Sequence, residues 1–229
     1  MCSNYIPASK KSLKEHFQVT PPDNDFKAET YPGYLSPVIR LDPDDPQRTE
    51  CVPACFGMVP AWADLKLAKH TYNARSETVA SKPTFRNAYK KRQLAIIPAE
   101  AFYEPNYETG RAVRWKIAHA SGEPLGIAGI WEFRSKGPDG QPLISFSMLT
   151  INADDHTLLQ RFHKPGDEKR MVVILHPDEY YSWLNAPVEQ LPSFLTQFPA
   201  EELIAHPDPK PSAKRSANAS RALSAGSLF

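Results

Sequence analysis

The chain begins Met1-Cys2. Removal of Met1 would leave one residue carrying an α-amine and a thiol on adjacent carbons. Their reference pKa values, about 7.7–8.0 and about 8.5, leave both groups partly deprotonated near neutrality. Such a 1,2-aminothiol condenses with an aldehyde. The amine forms an imine, and the sulfur then closes on the same carbon to give a five-membered thiazolidine. The same end group also serves acyl transfer, with the amine as base for its own thiol. A cysteine in second place is by itself unremarkable in type, so partners must be sought further along.

Four stretches offer them. In Tyr72-Asn73-Ala74-Arg75-Ser76-Glu77-Thr78 the residues Asn73, Arg75 and Glu77 alternate, and would share a face if extended. The trio can orient an amine, a phosphate and one another; a solvated strand edge with a salt bridge has the same pattern. Ala101-Phe102-Tyr103-Glu104-Pro105 sets a carboxyl among aromatics. Partial desolvation there suits proton transfer, although an exposed Glu alternating with buried rings also fits. His163 leads into the charged loop Lys164-Pro165-Gly166-Asp167-Glu168-Lys169-Arg170, ahead of apolar Val172–Leu175. An imidazole exchanges protons near pH 7, and a plain surface histidine is the other reading. Residues 84–92 read as a short helix in which Arg86, Lys90, Lys91 and Arg92 interleave with Phe85 and Tyr89. That mixture suits a phosphate backbone, or simply a solvated face. Cys51 and Cys55 lack a second ligand pair at zinc spacing, and His70 is isolated, so no metal is expected and the thiols read as reduced. There is no phosphate-cradling glycine loop, Gly-x-Ser-x-Gly elbow or His-Glu-x-x-His.

The elements that must position these groups are short. With 229 residues the chain can bury a sizeable core, and 41% hydrophobic residues fit a globular protein. The 23 prolines imply many loops and short strands rather than long helices. Ser12-x-x-Glu15 reads as a capping box for a helix over about 9–18. Residues 37–41 and 51–59 read as a hairpin, 94–98 as a buried strand, and 101–105 as another, joined by Glu108-Thr109-Gly110 to 112–117. Residues 125–132 and 143–150 add two more strands. Asn152-Ala153-Asp154-Asp155 reads as the cap of a helix through about Arg161, and further helices are expected from His176 to Leu184 and over 188–198. Successive strands with tight turns predict an α+β fold with a strongly curved, barrel-like, mixed or antiparallel sheet flanked by short helices. The domain is expected over 1–205, with a Pro/Ser/Ala/Lys/Arg-rich tail, 206–229, predicted to be disordered.

Composition excludes several classes. Lys10, Lys11 and Lys14 fall where the apolar part of a signal peptide would lie, and no apolar run is long enough to span a bilayer. Three cysteines are an odd count, which argues for a reducing compartment. A net charge of +1 means that nucleic-acid affinity must come from a local basic face.

Taken in order, these pieces resemble the SRAP family, the SOS response-associated peptidase-like proteins that process abasic sites in DNA. The matching pieces are Met1-Cys2, Gly57-Met58-Val59-Pro60-Ala61-Trp62, Asn73-Ala74-Arg75-Ser76-Glu77-Thr78, Phe102-Tyr103-Glu104, Phe146–Thr150 with Asn152-Ala153, and His163 followed by Arg170-Met171-Val172-Val173-Ile174-Leu175. They span roughly residues 1–200. The resemblance implies loss of Met1, by self-processing or an aminopeptidase, and a reversible thiazolidine crosslink between Cys2 and an abasic site in single-stranded DNA. It implies catalytic roles for Cys2, Asn73, Glu104 and His163. Asn73 would hold the α-amine, Glu104 would shuttle protons, and His163 would help open the sugar. Arg75, Trp62, Arg86, Lys90 and Arg170 would contact DNA, with Glu77 and Thr150 in support. No cofactor, metal or membrane is implied, and the protein would be a cytoplasmic, nucleoid-associated monomer. Three departures stand out. Ser3 and Asn4 replace the usual Gly-Arg after the cysteine, Pro105 stands where Trp is common, and the loop after His163 is long. Two other readings remain: an N-terminal-nucleophile Cys amidohydrolase and a non-covalent single-strand-binding module.

Overall fold

A computed structural model describes residues 2–137 and 139–210. In chain order the elements are β1 (Tyr5–Pro7), α1 (Lys10–Glu15), β2 (Leu35–Leu41), β3 (Thr49–Phe56), β4 (Asn73–Arg75), α2 (Arg86–Lys90), β5 (Leu94–Asn106), β6 (Val113–His119), β7 (Leu125–Arg134), β8 (Leu143–Asn152), β9 (Arg170–Val172), β10 (Ile174–Leu175), α3 (Tyr180–Asn185) and β11 (Leu203–Pro207). Short 3-10 turns, such as Leu65–His70 and Val188–Phe194, fill the connections.

Five strands close on themselves in the order β5, β7, β8, β3, β2 and back to β5. The β3–β8 seam is parallel, with Cys55 opposite Ser145 and Phe56 opposite Phe146. The other four contacts are antiparallel. A closed barrel has no free edge within its wall, and its interior fills with inward-facing side chains such as Phe56, Phe146, Ile97 and Met148. Phe56 stacks on Phe146 across the parallel seam at 5.2 Å. Trp183 of α3 is fully buried and donates its indole N–H to the Ala95 carbonyl at 2.9 Å, pinning the helix to the wall.

β5 is the organising strand. Its first half, Leu94–Ala99, pairs with β7, and its second half, Phe102–Asn106, pairs with β6 while carrying β1 on its other edge. The run from Leu94 to Ile97 is apolar on both faces because both are buried. The sequence divides this strand in two at Pro98, which supplies no donor to the ladder. The strand nevertheless continues, and the Pro98 carbonyl accepts the Ala8 N–H at 2.9 Å.

Several expectations need correction. Ser9, not Ser12, caps α1, its hydroxyl accepting the Ser12 N–H at 3.0 Å; Glu15 instead faces Lys11 one turn back. The helix expected over 84–92 shrinks to the five residues of α2. No α-helix forms over residues 152–161. Asn152 and Asp154 close a local Asx turn and tie to Lys169, leaving only a 3-10 turn at Leu159–Arg161. His156 accepts the N–H groups of Leu158 and Leu159 there, a capping role that its residue type did not announce. The fold also runs past residue 205: β11 pairs with β6, and Asp208 and Lys210 are tied to Tyr103 and Tyr31. The rest of the predicted tail, 211–229, lies outside the described residues.

Gly57 shows how tightly the chain turns off β3. Its φ is +109°, and a Cβ there would lie 2.1 Å from the Ala68 carbonyl oxygen. Only glycine satisfies both conditions.

Candidate active site

β1 runs antiparallel along the second half of β5, with Tyr5 opposite Phe102. This register carries the residues before Tyr5 toward Glu104. The Asn4 carbonyl accepts the Tyr103 N–H at 3.0 Å, and the Cys2 thiol lies 3.5 Å from the same oxygen. Cys2 is only 1% exposed. Burial, reinforced by the negative charge of Glu104, pushes its thiol up to about 12. The resting thiol is therefore neutral.

Three distant segments close around it. β4 lies parallel to β8, and its first residue, Asn73, donates its amide N–H to the Cys2 carbonyl at 2.8 Å. The other amide atom, Asn73 Oδ1, is buried with no hydrogen-bond partner among the described residues. Glu104 is 3% exposed near the end of β5, opposite Trp115 of β6. His163 Nε2 stands 2.9 Å from Glu104 Oε2. The histidine backbone has φ +66°, and its N–H is anchored to the Pro105 carbonyl at 2.8 Å. A non-glycine residue in this region costs about 1–2 kcal/mol, so the loop holds the imidazole against a local preference. Lys169 fastens that loop through the carbonyls of His163 and Lys164 at 3.3 and 2.8 Å.

The expected face of Asn73, Arg75 and Glu77 does not form as one strand. β4 stops at Arg75, and Glu77 lies in the turn beyond it. Glu77 instead receives the guanidinium of Arg170 at 3.0 Å. Arg170 also bonds Glu168 at 2.5 Å and the Thr150 carbonyl at 2.7 Å, and Glu168 reaches on to Arg75 at 2.8 Å. Arg170 is 2% exposed. The placement of Arg170 along a DNA path is thus corrected: it is an interior tie joining β8, β9 and the turn after β4. Arg75 is the half-exposed cation of this network. Trp62 is 66% exposed on the loop after β3. Arg86 and Lys90 are exposed on α2, just before Leu94, whereas Glu104 is near the opposite end of that strand. They are not brought to the Cys2 pocket.

Sequence reasoning missed Tyr72, a partly buried ring whose hydroxyl is pushed up by burial and by the nearby Glu104 and Cys2. Its position directly before Asn73 was the available signal. It also missed Arg114, which meets Asn4, noted above only as a departure, at 3.0 Å beside Cys2. Among the described residues, no group of three or more His, Cys, Asp or Glu is arranged to hold a metal ion.

Chemically, the pocket joins a sequestered thiol, an amide that grips the adjoining carbonyl, and a carboxyl–imidazole pair able to pass a proton. The model of a family described as SOS response associated peptidase (SRAP) matches residues 1–210. Abasic site processing protein YoqW of Bacillus subtilis is 30% identical over 156 residues, covering 66% of this chain and 66% of that protein. Abasic site processing protein HMCES of Gallus gallus is 26% identical over 176 residues, covering 66% of this chain and 50% of its own length. The match therefore spans just under two thirds of the first relative and half of the second. A crystal structure from Bordetella bronchiseptica, 39% identical, superposes with a TM-score of 0.81 over 90% of this chain and 99% of that one. One from Bacteroides thetaiotaomicron, 20% identical, has the same fold with a TM-score of 0.78, covering 91% and 93% of the two chains.

Proposed function

The chain belongs to the SOS response associated peptidase family, and from that premise we propose that it captures abasic sites in single-stranded DNA through Cys2 once Met1 has been removed. The observation that carries this reading is the burial of Cys2 against the Glu104–His163 pair, with Asn73 gripping its carbonyl. The substrate is the ring-opened aldehyde of the abasic deoxyribose. The freed α-amine adds to the carbonyl carbon, and loss of water gives the imine. The thiol then adds to the imine carbon, forming the C–S bond and closing the thiazolidine; its proton is passed on, and the imine nitrogen becomes an amine. One water leaves overall, and the reverse sequence restores the aldehyde.

The protonation of the resting thiol supports this order. A thiol pushed up to about 12 is a weak nucleophile at pH 7, so the amine acts first. Glu104 takes the sulfur proton as the ring closes and returns it to the ring nitrogen, while His163, 2.9 Å from Glu104, serves the proton transfer at the sugar hydroxyl when the sugar opens. Asn73 Oδ1, which has no hydrogen-bond partner among the described residues, is suited to accept a hydrogen bond from the freed amine. Arg75 and Trp62 offer a cation and an exposed ring to the flanking strand. Met1 release is the peptidase reaction of this scheme, and crosslink reversal is its lyase-like step.

The test is direct. Purified protein mixed with a single-stranded oligonucleotide carrying one abasic site should give an adduct that survives heat and SDS. Cys2→Ala should give none. An adduct that persists in Cys2→Ala, or a wild-type protein that forms none despite a mass spectrum lacking Met1, defeats the proposal. A non-covalent module would bind such DNA with Met1 intact.

A further inference from the structure

Asn4 lies two residues beyond Cys2, and a guanidinium reaches it from another strand. Arg114, on β6, donates to Asn4 Oδ1 at 3.0 Å. Its other contacts are Glu29 at 2.8 Å, the Asp208 carbonyl at 3.2 Å and the Asp208 carboxylate at 3.6 Å. The guanidinium lies 3.3 Å above the centre of the Tyr103 ring. The amide nitrogen of Asn4 faces two acceptors, Glu29 at 3.2 Å and the Thr30 carbonyl at 3.3 Å. Every polar atom of this buried amide is thus matched, so its rotamer is fixed from both ends. The Asn4 backbone carbonyl is the oxygen on which the Cys2 thiol rests.

We propose that Arg114 is a positioning residue for the reactive end: it locks Asn4, and the Asn4 carbonyl in turn sets where the Cys2 thiol and its α-nitrogen lie. The proposal rests on the function argued above. Charge supports positioning over phosphate binding. Arg114 and Lys210 face Glu29 and Asp208, two cations against two carboxylates, which leaves no net positive charge for a phosphate. A planar fork is also what this place requires, because one face must lie on Tyr103 while the edge serves three partners.

The experiment uses the full-length, Met1-free protein with Arg114→Met, Arg114→Lys and Asn4→Ala. Crosslinking to abasic single-stranded DNA is followed under single-turnover conditions across DNA and salt concentrations. In parallel, 2-cyanobenzothiazole, a small reagent that condenses with a free N-terminal cysteine, reports on Cys2 without DNA. Arg114→Met should lower the saturating crosslink rate about tenfold, with the half-saturating DNA concentration within twofold of wild type and the salt dependence unchanged. Cyanobenzothiazole labelling should become severalfold faster as the thiol escapes its seat. Arg114→Lys should recover little. Asn4→Ala leaves the ion network standing and should reproduce both changes, with no further loss in the double variant. The idea fails if the effect of Arg114→Met lies in half-saturation and a shallower salt slope, the mark of a phosphate contact. It also fails if saturating rate and labelling both stay at wild-type values. Should wild-type protein form no DNA adduct, the functional reading is lost, while the labelling comparison still decides the role of Arg114.

Discussion

Replacing Arg170 by methionine separates an interior tie from a DNA contact. The guanidinium is 2% exposed and donates to the Thr150 carbonyl at 2.7 Å, a buried charge-assisted bond worth about 1.5–3 kcal/mol. Its carboxylate partners are more open: the Glu77 side chain is 51% exposed and Glu168 37%. Solvent screening limits each of these pairs to about 0–1 kcal/mol. Methionine is nearly as long and carries no charge to desolvate, which offsets part of the loss. The expected net cost is about 2–3 kcal/mol. In urea unfolding followed by tryptophan fluorescence, a slope of about 2–3 kcal/mol/M turns that into a midpoint lower by about 1 M. Binding of undamaged single-stranded DNA to the folded variant should keep its salt dependence. An unchanged urea midpoint, together with a salt slope shallower by about 0.7, the contribution of one phosphate contact on a single strand, would refute the interior assignment.

Other expectations follow from the same geometry. Glu104→Gln removes the charge that, after burial, holds the Cys2 thiol near 12; an ultraviolet thiolate titration in a Cys51→Ser, Cys55→Ser background should show a lower pKa, and an unaltered curve would mean the two groups do not interact. Gly57→Ala forces a side chain onto the Ala68 carbonyl at φ +109° and should cost at least about 3 kcal/mol, roughly 6–12 °C in melting temperature; a shift under 2 °C would contradict the close approach. The Arg170 hydrogen bond holds Glu168 below the usual carboxylate value of 4.5; at Glu77 partial burial is the largest single effect and pushes upward, but the Arg170 hydrogen bond and charge, with local hydrogen bonds of Glu77 and Ser76, together hold the carboxyl below that value. Folding strengthens both acids, so their stabilisation is present above about pH 4.5 and drains away as pH falls below it. Arg170→Met should flatten stability over that acid range.

Much of the wall was legible because its signals are local. The β2–β3 hairpin, β7 and β8 each carry apolar, β-rich runs bounded by turn residues, and each forms where expected. β5 reads as two strands, 94–98 and 101–105, because the apolar run ends at Pro98. It is one because the strand changes partners near that proline, an event decided by tertiary pairing. Residues 152–161 carry a convincing cap and apolar spacing, yet Asn152 and Asp154 use their side chains on nearby backbone instead. In the site, residue type named Cys2, Asn73, Glu104 and His163, but no spacing encodes their meeting, which depends on β1 lying on β5. Arg170 shows the limit most clearly. An arginine on a surface phosphate and one tying two glutamates inside a fold look identical until burial is known. The link between Asn4 and Arg114 was invisible because it belongs to no local pattern; the two are brought together by the pairing of β1 and β6 with the two edges of β5.

The seclusion of Cys2 has a consequence for the life of each molecule. The groups that shield it come from positions 73, 104 and 163, so a ribosome must deliver most of the polypeptide before its second residue has shelter. Until then the sulfur has the ordinary acidity of a free thiol, about 8.5, and is open to any oxidant or stray electrophile. Folding is therefore this protein's own antioxidant, and a chain that unfolds with age or heat regains the indiscriminate reactivity of its newborn state.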